Sequence, residues 1–150
     1  CQKTWEDSPY GREKDFYGTS NNNRNAMTTD GTARIMEEIM QNIIFNEKNI
    51  NLKNCLFRQI KEQSQDKDAN NQINGFLGEG LPQNIPFWSK AGLMSEARND
   101  AAWWINKNQS KTLLVVFTEG KEFANDNNFL PEFSKAIYEF IHSEKLINLP

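Results

Sequence analysis

Three apolar runs, Ile85 to Leu93, Ala101 to Ile105 and Thr112 to Thr118, follow one another so closely that no crossover helix fits between them. A parallel pair of strands needs a connection of roughly a dozen residues or more, so these spacings predict an antiparallel meander. Pro86 falls at the start of the first strand, where a missing N–H is tolerated. Asn106-Lys107-Asn108-Gln109-Ser110 supplies turn chemistry between the second and third. The third run, TLLVVFT, is continuously apolar, which predicts burial on both faces of the sheet.

Helical patterns flank the meander. Thr28-Thr29-Asp30 offers N-cap candidates, with Glu37 and Glu38 in the segment that follows. Ile35, Met36, Ile39, Met40, Ile43 and Ile44 recur at three- and four-residue steps and predict one buried face. Asn51 is placed to cap a second helix, with Leu52, Cys55, Leu56 and Ile60 on its buried side and Cys55 as a small core residue. Residues 61–72 form a solvated linker, and residues 1–28 a long polar loop rich in Gly, Asn and Ser. Phe129-Leu130-Pro131 opens a last helix, where Phe133, Ile137, Phe140 and Ile141 pack back on the sheet. The order helix, helix, three strands, helix predicts an α+β fold, an antiparallel sheet flanked by helices.

Composition narrows the function. The 150 residues are about one domain in length, and a net charge of −3 gives no reason to expect nucleic acid as a partner. No apolar run approaches the roughly 20 residues of a membrane-spanning helix. Two cysteines far apart in sequence make no metal site. The single histidine, His142, is expected to be a solvated side chain on the last helix, which argues against a His-dependent triad. Cys1 opens the chain without a methionine, as in a processed, excised or incomplete chain. A mature bacterial lipoprotein also begins with cysteine, and an arbitrary cut is the plainer explanation.

The stretch Trp88-Ser89-Lys90-Ala91-Gly92-Leu93, followed by Arg98-Asn99-Asp100-Ala101-Ala102-Trp103-Trp104-Ile105, resembles the Lys-Thr-Gly strand and its neighbour in penicillin-recognising serine hydrolases, the family of class A β-lactamases. Leu81-Pro82 resembles the family's lead-in to that strand, and Thr28-Thr29 the threonine-rich helix start after its omega loop. Trp5-Glu6 is similar to the Trp-Glu of the omega loop itself. The likeness implies the C-terminal part of a single β-lactamase-like domain. Residues 1–28 would be omega-loop-like, 29–72 helical, and 73–150 the three strands and closing helix. The N-terminal strands and the nucleophile helix would precede Cys1 and come from the N-terminal half of the same protein.

The chemistry that the resemblance implies is acyl transfer to a serine, without metal or cofactor. A neutral hydroxyl is a poor nucleophile and needs a base, a role given in this family to a lysine or to a glutamate acting through water. Lys90 would favour negative charge near the reacting carbonyl and bind a substrate carboxylate. Ala91, Gly92 and Leu93 would line the substrate, the Leu93 N–H completing an oxyanion hole. Arg98 would hold the carboxylate with its fork of donors, and Glu6 would be the general base. Departures stand beside these matches. Ala91 replaces the usual Thr or Ser, and the turn from Lys90 to Asp100 is about one residue short. Asp7-Ser8-Pro9-Tyr10 lacks the asparagine expected after Glu6, and the stretch from Glu6 to Thr28 is longer than a standard omega loop. Ser64-Gln65-Asp66-Lys67 has the Ser-x-x-Lys spacing and Ser20-Asn21-Asn22 resembles Ser-Asp-Asn, but both fall in the wrong order along the chain.

Three functions of different kind follow. The first is a serine hydrolase acting on a β-lactam or a peptidoglycan-type peptide, with D-alanyl peptidase or esterase as variants, located in the periplasm or secreted. The second is a non-catalytic relative that binds cell-wall peptide. The third is a free-standing interaction module, which an uncovered three-stranded sheet would make poorly soluble.

Overall fold

The computed structural model describes residues 26–41, 52–67 and 71–147, with side chains through residue 143. Helix α1 spans Thr29–Gln41. Thr28 caps it as expected, its Oγ1 accepting from the N–H of Gly31 at 3.0 Å. A short helix α2 (Leu52–Leu56) runs into the two-residue strand β1 (Phe57–Arg58), followed by helix α3 (Ile60–Gln63) and a 3-10 turn at Leu77–Gly80. The meander follows as β2 (Phe87–Met94), β3 (Ala97–Ile105) and β4 (Lys111–Val116). Helices α4 (Lys121–Asn125) and α5 (Phe129–Ile147) close the fold. The strands pair antiparallel in the order β1-β2-β3-β4.

Alternation along the strands divides the core in two. Phe87 and Ala91 of β2, with Ala102 and Trp104 of β3, look toward α5 and the 3-10 turn, where Leu77 and Leu130 are fully buried. Trp88, Ala101, Trp103, Leu113 and Val115 look the other way and pack with Met36, Met40 and Leu56. Helices thus pack on both faces of the sheet, and Asp100 to Trp104 of β3 are buried. The expected two-sided burial of the third run is not reached, because β4 lies at the sheet edge with residues 112–116 only half-buried and Phe117 exposed.

Two close approaches shape the α5 side. Ser134 Oγ donates to Leu77 O at 2.7 Å. A Cβ at Gly80 would stand 1.9 Å from Pro131 O and 2.4 Å from Ser134 Oγ, so only glycine lets the turn lie this close to α5. At the β3–β4 turn, Asn106 is buried and accepts from Trp104 Nε1 at 2.9 Å. Its amide donates to Ser110 Oγ and Thr112 Oγ1, which lets fully buried Trp104 keep a partner for its N–H.

The expectations differ from this architecture at four places. The sheet has a fourth strand, because Phe57 and Arg58 pair with Trp88 and Phe87 and end the helix expected to continue to Ile60. Cys55 is exposed, since the break turns its side of the helix outward. Residues 61–72 are not all linker: they contain the end of α3, and Asn71 Oδ1 accepts from the N–H groups of Ile73 and Asn74. On α5 the buried stripe is Leu130 and Ser134, with Tyr138 packed on the core, while Phe133 and Phe140 are 37% and 58% exposed. The small serine is what admits the 3-10 turn, and this rotates the phenylalanines away from the sheet. Ile43, Ile44 and Asn51 lie outside the described residues.

Gly80→Ala is expected to lower unfolding stability by about 2–3 kcal/mol, because neither Pro131 O nor the helix behind it can withdraw cheaply. Urea unfolding checks this, and an unchanged midpoint would show that the turn does not press on α5.

Candidate active site around Lys90

Lys90 and Gly92 stand on the α1 side of β2, while Ser89 and Ala91 stand on the other. A cleft of about 350 Å³ opens above Lys90 and Gly92, walled by Met27, Ile35, Ile39 and Phe117, and almost wholly apolar. Ile35 is 45% exposed because it lines this opening rather than the core. The Lys90 ammonium donates to Ala91 O. A Cβ added at Gly92 would meet nothing within 4 Å among the described residues. Glycine weakens a strand interior, and here no neighbour in the described residues demands it. The clearance it leaves opens onto the cleft.

The backbone of β2 is oriented by its pairing. Pro86 O accepts from Ile105 N at 3.1 Å, whereas Ala91 N donates away from β3, to Gln72 Oε1 at 3.3 Å. Even-numbered residues of β2 therefore bond to β3, and odd-numbered ones turn their N–H and C=O groups to the opposite edge. β1 covers that edge only at Phe87 and Trp88. The N–H of Leu93 accordingly faces away from β3, past the end of β1. Ala91 offers no side chain there, since its methyl is buried on the far face.

Arg98 is not at the mouth. It is 5% exposed, and its guanidinium donates to Ala124 O, to Gly75 O at 3.1 Å and to Asn127 Oδ1 at 2.7 Å. It also lies over the Phe76 ring, 5.1 Å from the centroid. Burial lowers its pKa, against the field of Asp126. The expected hold on a substrate carboxylate is thus replaced by a brace between β3, the segment at Gly75 and the end of α4, because β3 directs this side chain into the core. Glu6 and Ser20 lie outside the described residues. Ser64 Oγ donates to Lys61 O in an exposed turn. His142 is half-buried rather than solvated: it stacks on Tyr138 at 4.1 Å and its Nδ1 lies 2.6 Å from Tyr138 O.

Sequence reasoning missed Asp100 and Gln72. Asp100 pairs with Ala91 across the β2–β3 ladder and is 1% exposed. Its Oδ2 accepts from Leu77 N at 3.1 Å, while Oδ1 has no partner among the described residues. Burial pushes its carboxyl up to about 7, opposed by the Leu77 and Ala101 N–H groups and by the fields of Lys90 and Arg58. A carboxylate directly before the apolar run Ala101 to Ile105 was the available signal. Gln72 gave none, being one amide in a polar stretch.

A helix-covered antiparallel sheet with a lysine and a glycine on one inner strand makes this an α+β domain. The chain belongs to the beta-lactamase enzyme family, whose family model matches residues 5–141. No curated protein matches it. Among solved structures, the crystal structure of a beta-lactamase from Streptosporangium roseum matches with a TM-score of 0.61 at 17% sequence identity. The match covers 87% of this chain and 47% of that one, so the chain spans about half the length of that structure. At this identity the likeness is one of fold.

Asp100 generates a stability prediction with a definite sign. Its folded pKa, about 7, is raised above the ordinary 3.8, so its contribution is full below 3.8 and is lost as pH rises through about 7. Asp100→Asn cannot ionise. The stability of the variant minus that of the parent should therefore rise between these pH values, by up to a few kcal/mol. Urea unfolding of both proteins across the range measures the difference; a flat difference would mean that Asp100 stays charged throughout.

Proposed function

We propose that this chain forms the Lys90 wall of an acyl-transfer site in a class A β-lactamase-like serine hydrolase that opens a β-lactam or a related amide. The observation that carries the proposal is that Lys90 and Gly92 share one apolar cleft, with clearance over Gly92 among the described residues. The strand alternation that turns the Leu93 N–H to the neighbouring edge of β2 supports it. In this scheme a serine from outside residues 1–150 attacks the carbonyl carbon and gives its proton to a base. The C–N bond then breaks, the nitrogen takes up a proton, and water releases the acyl group, with Glu6 as the proposed base for that step. The Leu93 N–H donates to the developing oxyanion, and Lys90 stabilises negative charge on the substrate in a poorly hydrated site. Arg98 supports the strand, and Ala91 offers the substrate no side chain. The periplasm or the exterior of the cell, where peptidoglycan-type substrates lie, is the proposed location, and the N-terminal half of the same protein the proposed partner.

Ala91 favours a second reading, a relative that binds cell-wall peptide without turnover. Where the family has a threonine or serine hydroxyl for the substrate carboxylate, this chain presents a buried methyl.

One experiment separates the two. The complete protein, incubated with a labelled penicillin, is expected to form a covalent adduct, slowed by roughly 10²–10³-fold in Lys90→Ala. Gly92→Val is expected to fold as stably as the parent, since its side chain meets no described residue, yet to lose the adduct. A folded complete protein that forms no adduct but binds peptidoglycan fragments saturably would replace hydrolysis with binding.

A further inference from the structure

Along the outer edge of β2, the N–H groups of Ala91 and Leu93 are the two donors nearest the cleft, roughly 6–7 Å apart at strand spacing. They are not equally accessible. Gln72 Oε1 accepts from the Ala91 N–H at 3.3 Å and, at the same distance, from Arg58 Nη2. Arg58 is itself fixed, its Nη1 donating to Cys55 O at 2.9 Å and to Phe57 O at 3.0 Å. The short strand β1 thus ends in an arginine that holds a glutamine carbonyl where the next strand's acceptor would otherwise sit. Resting on the acyl-transfer reading above, we propose that Gln72 is a specificity-determining residue: it plugs the edge at Ala91, so the site takes compact acyl substrates that pair only at Leu93 and rejects extended peptides that would pair at both positions.

The physical reason is competition for one donor. An extended peptide laid along β2 gains the Ala91 hydrogen bond only by expelling an amide oxygen already held by a cation, and exchanging one acceptor for another yields little. A compact ring amide never reaches Ala91 and forfeits nothing. Gln72 does not touch the reacting atoms in this scheme, so it acts on the choice of substrate rather than on the chemistry.

The test compares kcat/KM for acylation by benzylpenicillin and by an extended N-acyl-dipeptide thioester, using the complete protein. Gln72→Ala is expected to raise the thioester-to-penicillin ratio about five- to tenfold, the worth of one hydrogen bond. Gln72→Glu keeps an acceptor beside Arg58 and is expected to retain the parent ratio. An unchanged ratio in Gln72→Ala overturns the inference. Amide hydrogen exchange supplies a readout independent of acylation: the Ala91 N–H is expected to exchange more slowly than that of Leu93, and to lose this protection in Gln72→Ala. Equal exchange at both positions in the parent protein overturns the plug as well. Absence of acylation by either substrate, with the exchange pattern as expected, counts against the acyl-transfer reading and leaves the plug itself supported.

Discussion

A one-residue slip between β2 and β3 would bury Lys90 in the core and turn Ala91 into the cleft, so register is the constraint on which the site depends. Several contacts hold it. Ser95 and Glu96 join Met94 to Ala97 in a turn too short to absorb a shift. Phe87 sits opposite Trp104, both with no exposed surface, and a slip would carry both rings to the opposite side. Asn106 ties the Trp104 indole to the β3–β4 turn, which fixes the far end of the same strand. The tight core is therefore what keeps one ammonium pointing outward.

Two charged residues of β3 are buried without forming an ion pair with each other. Arg98 donates to Gly75 O, and Asp100 accepts from Leu77 N, so the strand grips one short stretch of backbone by a carbonyl and by an N–H two residues on. Main-chain dipoles supply both partners where a salt bridge would have to repay the desolvation of two ions. The outcomes differ. Arg98 finds acceptors for its donors, whereas one oxygen of Asp100 is left without a partner among the described residues, and its proton is held toward neutrality. The gripped stretch leads straight into the 3-10 turn against α5, so these side chains couple the strand beside the cleft to the helix behind the sheet.

β3 was legible because its buried half leaves an apolar run; β4 shows the same kind of run although, at the sheet edge, it is only half-buried. Helix α5 was legible because Phe129-Leu130-Pro131 is a distinct helix start. The two residues of β1 were not, since pairing with a distant strand and not their own pattern makes them a strand. The buried stripe of α5 was misjudged for a similar reason: the close approach of Gly80 selects a serine at the contact, which a search for large apolar residues passes over. Lys90 and Gly92 were picked out by their order along the chain, and both line the cleft. Arg98 was placed on the right strand, but spacing alone does not say whether a guanidinium meets solvent or carbonyl oxygens.

What distinguishes this cleft is how few side chains carry its polarity. Its walls are almost wholly apolar, and Ala91 turns its methyl to the far face. Among the described residues, Lys90, Thr32 and Asn99 are the polar side chains of its lining on the α1 side, beside the edge of the backbone. Backbone donors cannot be replaced by substitution, and their direction is set by strand pairing. An apolar surround strengthens each of them by excluding water. Selectivity in such a site then passes to residues that compete for backbone groups rather than to residues that add new ones. Gln72, held by Arg58 at the point where β1 stops, occupies that position, so the shortness of β1 and the chemistry of the cleft have one physical origin in where the edge of β2 is covered and where it is open.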